Sequence, residues 1–334
     1  MKFGSTPIEE AEGAVLAHGV RLDGAQFKKG DILTRGRLLE LSEAGVTRIV
    51  AARLEPGDVG ENDAAVRLAK RLAGANLRCS APFTGRVNLF ATAAGLAIIE
   101  ADAIDRVNAV DEAITVATVP RYRTVADGDM VATVKIIPFA TPGATLEAAL
   151  GALGPASAIA VQPFRPMRVG VVSTMLPGLK MSVVAKTIRV LEARLKPAGS
   201  RIAAQEAVPH EVGPLAKALG RLIDGADALI AFGASAITDR RDVIPAAIEA
   251  IGGRIERFGM PVDPGNLLLL AERGGVPIIG APGCARSPKE NGFDWVLQRV
   301  LAGAAIRDED IRAMGVGGLL MEIGVRPQPR APLE

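Results

Sequence analysis

The chain has 334 residues, of which 49% are hydrophobic, so it can bury substantial cores and is long enough for two domains or three. Its formal net charge is +2 with both signs mixed along the chain, which argues against nucleic acid and anionic membranes as partners. Its two cysteines, Cys79 and Cys284, give neither a disulfide framework nor metal-ligand spacing. Since no apolar run has the length of a signal peptide core or a membrane span, we expect a cytoplasmic globular protein.

The first 160 residues alternate short apolar runs with turns, a pattern that predicts β-rich structure. We expect a small β-rich module with a helix over residues 1–75, then an α+β region and linker over residues 76–160. The linker is predicted in the stretch from Thr141 to Pro166, which is rich in alanine, glycine and proline. Helices are predicted at about 37–44, 62–72 and 103–111.

From Arg168 the pattern becomes a regular alternation of apolar strands and amphipathic helices. That alternation predicts an α/β domain over residues 161–312, in three layers around a mostly parallel sheet. Ser287 to Glu290 has the pattern of a capping box and predicts a helix start there. Residues 313–334 are predicted to be a C-terminal tail. Strands are predicted at 168–173, 201–206 and 228–232, and helices at 182–195, 212–223 and from 243.

A glycine turn follows the apolar strand that ends at Phe232, and it leads through Ala234 and Ser235 toward the helix predicted from Val243. Glycine lets the backbone turn tightly there. Open α/β sheets bind ligands at the carboxyl ends of their strands, and the unpaired amides of a helix N-terminus favour phosphate. We therefore expect a ligand phosphate on the turn formed by Gly233, Ala234 and Ser235.

The acidic loop after this turn contains Asp239 and Asp242 on either side of two arginines. Carboxylates next to a bound phosphate are the usual ligands of a magnesium ion, so both are candidate metal ligands. For Asp242 a second interpretation stays open, because aspartate immediately before a helix is a preferred N-cap. Ser235 is a candidate donor to phosphate rather than a nucleophile, since neither His18 nor His210 has a motif context that places it as a base. Alternatively, its hydroxyl bonds to the backbone of its own loop.

Further candidates for anion and ligand contacts lie on other loops. Thr174 and Lys180 follow the first strand of the α/β domain and are expected at the same edge of the sheet as Ser235. Lys180 is either a contact for an anionic ligand or an ordinary surface lysine. Two proline-glycine turns, Pro264-Gly265 and Pro282-Gly283, also occur in this domain, and turn formation alone explains the sequence of the first.

Four motifs occur in the order used by one family and so resemble the molybdopterin-binding domain of molybdenum cofactor biosynthesis proteins. They are Gly233-Ala234-Ser235, Arg241-Asp242-Val243, Pro261-Val262-Asp263-Pro264-Gly265 and Ala281-Pro282-Gly283. The resemblance is closest to the amino-terminal module of fusions between a molybdopterin-binding domain and a nucleotidyltransferase, and covers residues 168–302. The chain departs from the pattern at Ala234, where a second glycine is expected, and at Cys284-Ala285, where Asn-Pro is common.

The resemblance implies that the protein binds molybdopterin, or its nucleotide-charged form, in assembly of the molybdenum cofactor. It implies that Asp242 and Asp239 are catalytic or metal-binding residues, with Mg²⁺ as a cofactor at the phosphate. It also implies a nucleotidyltransferase partner domain or protein, self-association into a homo-oligomer, and a clip-like fold for residues 1–75. The residues expected to bind molybdopterin are Gly233, Ala234, Ser235, Thr174, Lys180, Pro264, Gly265, Pro282 and Gly283.

Three functions are compatible with this resemblance. The protein is a molybdopterin-binding module, a magnesium-dependent molybdopterin adenylyltransferase or molybdate-inserting enzyme, or a pyridine-nucleotide-cycle hydrolase related to competence-damage proteins. Molybdate-inserting relatives have a further acidic turn where this chain has Val208-Pro209-His210-Glu211. Proline and neutral imidazole are poor ligands for the hard magnesium ion, which prefers carboxylate and water oxygens. We therefore favour the binding module over the enzyme.

Overall fold

Two structural units make up the chain in a computed structural model, which describes residues 1–22 and 24–320. The first unit comprises Met1–Gln162 and the second begins at Pro163. The finer division into four segments stays a prediction. Within the described residues, none of the helices combines the length and apolar character that crossing a membrane requires.

The first unit is a mixture of short strands and helices, as the alternating pattern predicts. Its strands are β1 (Lys2–Pro7), β2 (Val15–Leu16), β3 (Val20–Leu22), β4 (Ala25–Phe27), β5 (Arg48–Arg53), β6 (Asp58–Gly60), β7 (Leu77–Cys79), β8 (Arg86–Ala91), β9 (Gly95–Ile99), β10 (Ile114–Thr118), β11 (Thr124–Val125), β12 (Met130–Ile136), β13 (Ala140–Pro142) and β14 (Ile159–Pro163). Its helices are α1 (Arg35–Glu43), α2 (Glu61–Leu72), α3 (Ala101–Asn108) and α4 (Gly143–Ala152).

Two hydrophobic clusters stabilise this unit. One lies under the antiparallel sheet β1-β5-β2 and buries Leu16, Phe27 and Leu41. The other lies under the sheet β10-β12-β8-β7, against which α2 packs the face that carries Leu68 and Leu72. The spacing of four residues between these leucines puts both on the same side of the helix.

The segment predicted as a linker, Thr141 to Pro166, instead contains α4 and β14, so that prediction is wrong. The physical reason is that its small apolar residues fill core positions. Leu146 and Ala149 of α4 and Ile159 of β14 are fully buried in the second cluster of the first unit. Alanine is the best helix former, so an alanine-rich stretch that has a core to pack against becomes a helix.

The second unit is a six-stranded sheet with helices on both faces. Its strands are β15 (Arg168–Met175), β16 (Arg201–Pro209), β17 (Ala228–Phe232), β18 (Arg254–Phe258), β19 (Leu269–Arg273) and β20 (Val276–Ala281), and its helices are α5 (Met181–Leu195), α6 (Val212–Ile223), α7 (Val243–Ala250), α8 (Gly292–Leu301) and α9 (Asp308–Arg312). The strand order is β16-β15-β17-β20-β19-β18. The first four strands are parallel, β19 pairs antiparallel with β20, and β18 pairs antiparallel with β19. The predicted fold class, a three-layer and mostly parallel α/β domain, is confirmed.

Alternation along the central strands creates the layers. On β15, Val169 and Val171 belong to the cluster that contains residues of α5 and α8, whereas Val172 belongs to the cluster with residues of α6 and α7. Successive side chains of a strand point to opposite faces, so both faces of the sheet are covered. Because β16, β15, β17 and β20 are parallel, their carboxyl ends and following loops share one edge of the sheet.

The start of α8 differs from the sequence prediction. The helix begins at Gly292 with Asn291 as N-cap, and Asp294 completes a capping box by accepting a hydrogen bond from the Asn291 amide. The predicted capping box at Ser287 to Glu290 is wrong, because the Glu290 carboxylate accepts from the Trp295 indole N–H instead. Of the predicted tail, Ala313–Gly315 form a 3-10 turn, whereas residues 321–334 lie outside the described residues.

Candidate functional site

A hydroxyl group fixes the turn after β17 to the neighbouring strand. Thr174 is fully buried at the end of β15, and its Oγ1 accepts a hydrogen bond from the Ala234 amide at 2.8 Å. The same oxygen lies 2.8 Å from Nδ1 of His210 and 3.4 Å from the Phe232 carbonyl oxygen. Thr174 and Ala234, both expected to bind ligand, therefore bind each other in this structure.

Gly233 accepts a hydrogen bond at its carbonyl oxygen and has no room for a side chain. Its carbonyl oxygen accepts a hydrogen bond of 2.8 Å from Nη2 of Arg286, and Nη1 of the same guanidinium donates to the Thr187 hydroxyl of α5. A Cβ on Gly233 would lie 2.5 Å from the Ser235 carbonyl oxygen and 3.1 Å from a methyl group of Ile244. The glycine does not have a positive φ. It is therefore required for close approach rather than for a left-handed turn.

Arg286 was not among the residues predicted for the site. Its guanidinium lies 5.4 Å from the centre of the Phe232 ring, and partial burial lowers its pKa. Among the described residues it forms no ion pair with a carboxylate. The sequence signal was an arginine that closely follows a run of apolar and small residues ending in the Pro282-Gly283 turn.

Three consecutive amides of the turn have no hydrogen-bond partner among the described residues. Ser235 is exposed, and no described residue accepts a hydrogen bond from the N–H groups of Ser235, Ala236 or Ile237. Consecutive free amides in a turn form a concave group of donors that suits an anion. The next amide along the chain, that of Thr238, donates to Asp242 at 3.2 Å.

The carboxylates of the acidic loop are occupied by neighbouring donors. Asp242 is the N-cap of α7, and its Oδ1 accepts from the Val243 amide at 2.7 Å. Asp239 accepts from the Arg241 amide and from its guanidinium, each at 2.8 Å, and the Arg241 contact lowers the pKa of Asp239. Within the part of the chain that the structure describes, no group of three or more His, Cys, Asp or Glu side chains could hold a metal ion.

The two proline-glycine turns are joined by the start of α8. The Gly292 amide donates to the Pro264 carbonyl at 2.8 Å, and a Cβ on Gly265 would lie 2.8 Å from the Gly292 backbone. On the other side, Nδ2 of Asn291 donates to the carbonyl of Cys284, in the 3-10 turn that begins at Gly283. The peptide bond between Asp263 and Pro264 is cis.

A second arginine, Arg194 of α5, contacts the 3-10 turn that begins at Gly283 and the start of α8. Arg194 pairs with Asp294 through Nε and Oδ1 at 2.5 Å, and their side chains are only 10% and 11% exposed. The guanidinium also donates to the carbonyls of Ala285 and Ser287, at 2.8 and 2.7 Å. The 3-10 turn and the chain that leads to α8 are thereby held to α5. Lys180, by contrast, is exposed at the N-cap of α5 and makes no side-chain capping bond.

Of the residues expected to bind ligand, those on three loops are connected by hydrogen bonds. Thr174 joins Ala234, Arg286 joins the Gly233 turn to the loop that starts at Pro282, and Asn291 with Gly292 extends the connection to the Pro264 turn. His210 was not predicted as a site residue because its sequence context gives no motif, and only the parallel pairing of β15 with β16 brings it to Thr174.

Two family models match parts of this chain. Residues 171–302 match the family model described as a probable molybdopterin binding domain. Residues 5–53 match the model of a domain of unknown function. No curated protein matches the chain.

Similar solved structures come from the same biosynthetic context. A molybdopterin biosynthesis MoeA protein from Pyrococcus horikoshii is 15% identical, with a TM-score of 0.32, 91% of this chain covered and 76% of that chain. A molybdenum cofactor biosynthesis protein from Pyrococcus furiosus is 12% identical, with a TM-score of 0.27 and coverages of 91% and 66%. The molybdopterin biosynthesis enzyme MoaB from Thermus thermophilus is 19% identical, with a TM-score of 0.28 and coverages of 41% and 97%.

At these TM-scores the structural similarities carry no argument about the site. The family model covers the segment from within β15 to just past the end of α8. Over residues 171–302 the chain therefore matches the family described as probable molybdopterin binding domains.

Proposed function

We propose that this protein binds molybdopterin, or its nucleotide-charged form, in molybdenum cofactor biosynthesis, with the terminal phosphate on the turn formed by Gly233, Ala234 and Ser235. The observation that supports this most is the row of unpaired N–H groups from Ser235 to Ile237 at the carboxyl edge of a parallel sheet, inside the segment that matches the family. Such donors are preorganised for phosphate, because the backbone that carries them is already fixed.

Two hydrogen bonds support that preorganisation. The Ala234 amide donates to Thr174 and the Gly233 carbonyl accepts from Arg286, so the start of the turn is held while the next three amides have no partner among the described residues. A ligand that binds there does not have to order the loop first. Preorganised sites bind more tightly because this entropy has been lost on folding.

The first turn of α7 is a less suitable place for the phosphate than the sequence alone implies. The Asp242 carboxylate accepts from the Val243 amide, and Pro245 has no N–H to offer. A phosphate beside Asp242 would meet a like charge, which a cation must offset. The exposed Arg240 and a magnesium ion brought with the phosphate are the candidates, with water and phosphate oxygens as the ion's other ligands.

The remaining assignments follow from the hydrogen bonds that connect the loops after β17 and β20 with the Pro264 turn. We propose that Pro264-Gly265 and Pro282-Gly283 line the pterin pocket, since hydrogen bonds through Asn291 and Gly292 join both turns. We also propose that the chain is a binding module that presents the pterin to a nucleotidyltransferase and that it self-associates. Light scattering after size exclusion tests the self-association.

Titration with molybdopterin tests the proposal, with the bound pterin quantified by fluorescence after oxidation. Ser235→Ala removes a donor to a charged group, so we expect it to weaken binding by about 1.5 kcal/mol, roughly tenfold in Kd. Ser182→Ala, at an exposed position in the first turn of α5, is the matched control and should bind like wild type. Equal affinity of both variants would remove the phosphate from this turn.

A second experiment separates capping from metal binding at Asp242. Asp242→Asn keeps a competent N-cap and removes the charge. If Asp242 holds magnesium at the phosphate, this variant loses the magnesium dependence of ligand binding while its thermal stability changes little. A variant that keeps the magnesium dependence of wild type shows that Asp242 is only a cap.

A third experiment separates a binding module from an enzyme. Purified protein is given molybdopterin, magnesium and ATP or CTP, and separately adenylylated molybdopterin with molybdate. A binding module yields no product, whereas turnover on the order of 1 per second or faster in either assay establishes the enzyme instead. Hydrolysis of a pyridine nucleotide without pterin binding would favour the third function.

A further inference from the structure

His210 lies at the same edge of the sheet as the phosphate turn. It directly follows β16, and its backbone N–H donates to the Met175 carbonyl at 2.9 Å, which holds the residue against the end of β15. The imidazole is half-buried, with Nδ1 at 2.8 Å from the Thr174 hydroxyl. Among the described residues, its other ring nitrogen, Nε2, bonds to no atom.

The contacts of the Thr174 hydroxyl favour one tautomer of a neutral His210. This hydroxyl has one hydrogen, and one of its lone pairs already accepts from the Ala234 amide. Its two possible acceptors are Nδ1 of His210 at 2.8 Å and the Phe232 carbonyl at 3.4 Å, and the shorter contact favours a hydrogen directed at Nδ1. A neutral imidazole that accepts at Nδ1 has its own hydrogen on Nε2.

The imidazolium form leads to the same result at the outer nitrogen. In that form both ring nitrogens donate, and the Thr174 hydroxyl turns toward the Phe232 carbonyl. In the neutral form that accepts at Nδ1 and in the imidazolium form, Nε2 carries a hydrogen that no described residue accepts, whereas a neutral imidazole with its hydrogen on Nδ1 has none on Nε2.

The order of the strands places this donor relative to the phosphate turn. β15 lies between β16 and β17, so His210, Thr174 and Ala234 follow one another along the carboxyl edge, joined by the single Thr174 oxygen. The free amides of Ser235 and Ala236 directly follow Ala234. His210 and the free amides therefore follow the two strands that flank β15, at the edge where the ligand is proposed to lie.

We propose that His210 is a binding residue of this site, whose Nε2–H donates a hydrogen bond to an oxygen of the phosphate group of the ligand. The inference rests on the proposed function, because the phosphate turn defines the ligand's place at this edge. It assigns two roles to one imidazole. Nδ1 supports the loop through Thr174, and Nε2 contacts the ligand.

Two amide substitutions separate these roles. In His210→Asn the amide oxygen can occupy the position of Nδ1 and accept from Thr174, but nothing occupies the position of Nε2. In His210→Gln the longer side chain places its amide near the position of Nε2 and gives up the Thr174 contact. Both variants are titrated with molybdopterin, and their thermal unfolding is followed by fluorescence of Trp295, the single tryptophan of the chain.

If Nε2–H contacts the ligand, His210→Asn binds molybdopterin at least roughly tenfold more weakly than wild type, and its thermal stability is unchanged. His210→Gln then retains more of the wild-type affinity than His210→Asn. The reverse order, with His210→Asn binding like wild type, overturns the proposal and leaves the residue a purely positioning role. Wild-type protein that fails to bind molybdopterin at all defeats the proposed function itself, which is a distinguishable result.

The same titration with dephosphorylated molybdopterin tests the chemical group. A contact to phosphate predicts that His210→Asn and wild type bind the dephosphorylated ligand equally. If the substitution weakens binding of both ligands by the same factor, the histidine contacts the pterin and the phosphate assignment is wrong.

Discussion

Gly233→Ala tests the packing of the phosphate turn without reference to any ligand. The added Cβ would lie 2.5 Å from the carbonyl oxygen of Ser235 and 3.1 Å from a methyl group of Ile244. The first contact is with backbone and is shorter than Cβ atoms in proteins tolerate, so the turn must move. Movement of the turn strains the hydrogen bonds by which Arg286 and Thr174 hold it.

The expected cost follows from overpacking in a well-packed region, which typically destabilises by about 1–3 kcal/mol. For a domain of about 150–250 residues, each kcal/mol lowers Tm by roughly 2–4 °C. Urea unfolding followed at Trp295 reports on the second unit alone, because this residue of α8 is the single tryptophan in the chain. We expect a lower urea midpoint with an unchanged m value.

Gly283→Ala is the matched control, since nothing lies within 4 Å of a Cβ built on that exposed glycine. It should leave the urea midpoint within the experimental error. If Gly233→Ala unfolds at the same urea concentration as Gly283→Ala, the turn is not tightly packed. A rigid turn held by Thr174 and Arg286 is then excluded.

Three further substitutions have expected outcomes. Arg194→Met leaves the buried carboxylate of Asp294 without its partner and should destabilise the second unit by about 3–5 kcal/mol in urea unfolding; a loss below about 1 kcal/mol would contradict this. The Arg168 guanidinium lowers the pKa of Asp227. This ion pair therefore stabilises the folded state fully above about pH 4, and its contribution is lost as the pH falls through the lowered pKa. Asp227→Asn should therefore flatten the acid side of a stability profile measured from pH 6 to pH 2, and an unchanged slope would exclude the pair as a cause. Arg286→Met leaves the Gly233 carbonyl without its donor. We expect the substitution to cost more binding free energy for molybdopterin than unfolding free energy. A lower Tm with unchanged affinity would make the arginine purely structural.

Local periodicity explains why most of the α/β fold could be predicted. β17 and α6 have the predicted bounds, because an apolar run between Asp227 and Gly233 and a repeating apolar stripe are unambiguous signals. The start of α8 was misplaced because two segments compete as caps. The choice of Asn291 depends on Arg194, a residue about 100 positions earlier that holds Asp294 and the preceding carbonyls.

The candidate site was only partly predictable for the same reason. The cap geometry of Asp242 could be anticipated from the residue that it precedes, and the structure contains that cap. Its role toward ligand or metal stays a prediction, as do those of Ser235 and Lys180. Arg286 and His210 could not be found by motif, because their contacts to the site depend on strand order and on helix packing rather than on neighbouring residues.

The distances in sequence between the partners that hold the turn determine when the site can form during folding. Thr174 meets His210 across 36 residues, Arg286 meets the Gly233 carbonyl across 53, and Thr174 meets the Ala234 amide across 60. Closing loops of this length costs chain entropy before any of these bonds can form, so parallel strands pair slowly and late. The free amides of the turn therefore adopt their final arrangement only after β15, β16, β17 and the segment after β20 have assembled. An incompletely folded chain can already contain its helices and still lack affinity for a phosphate.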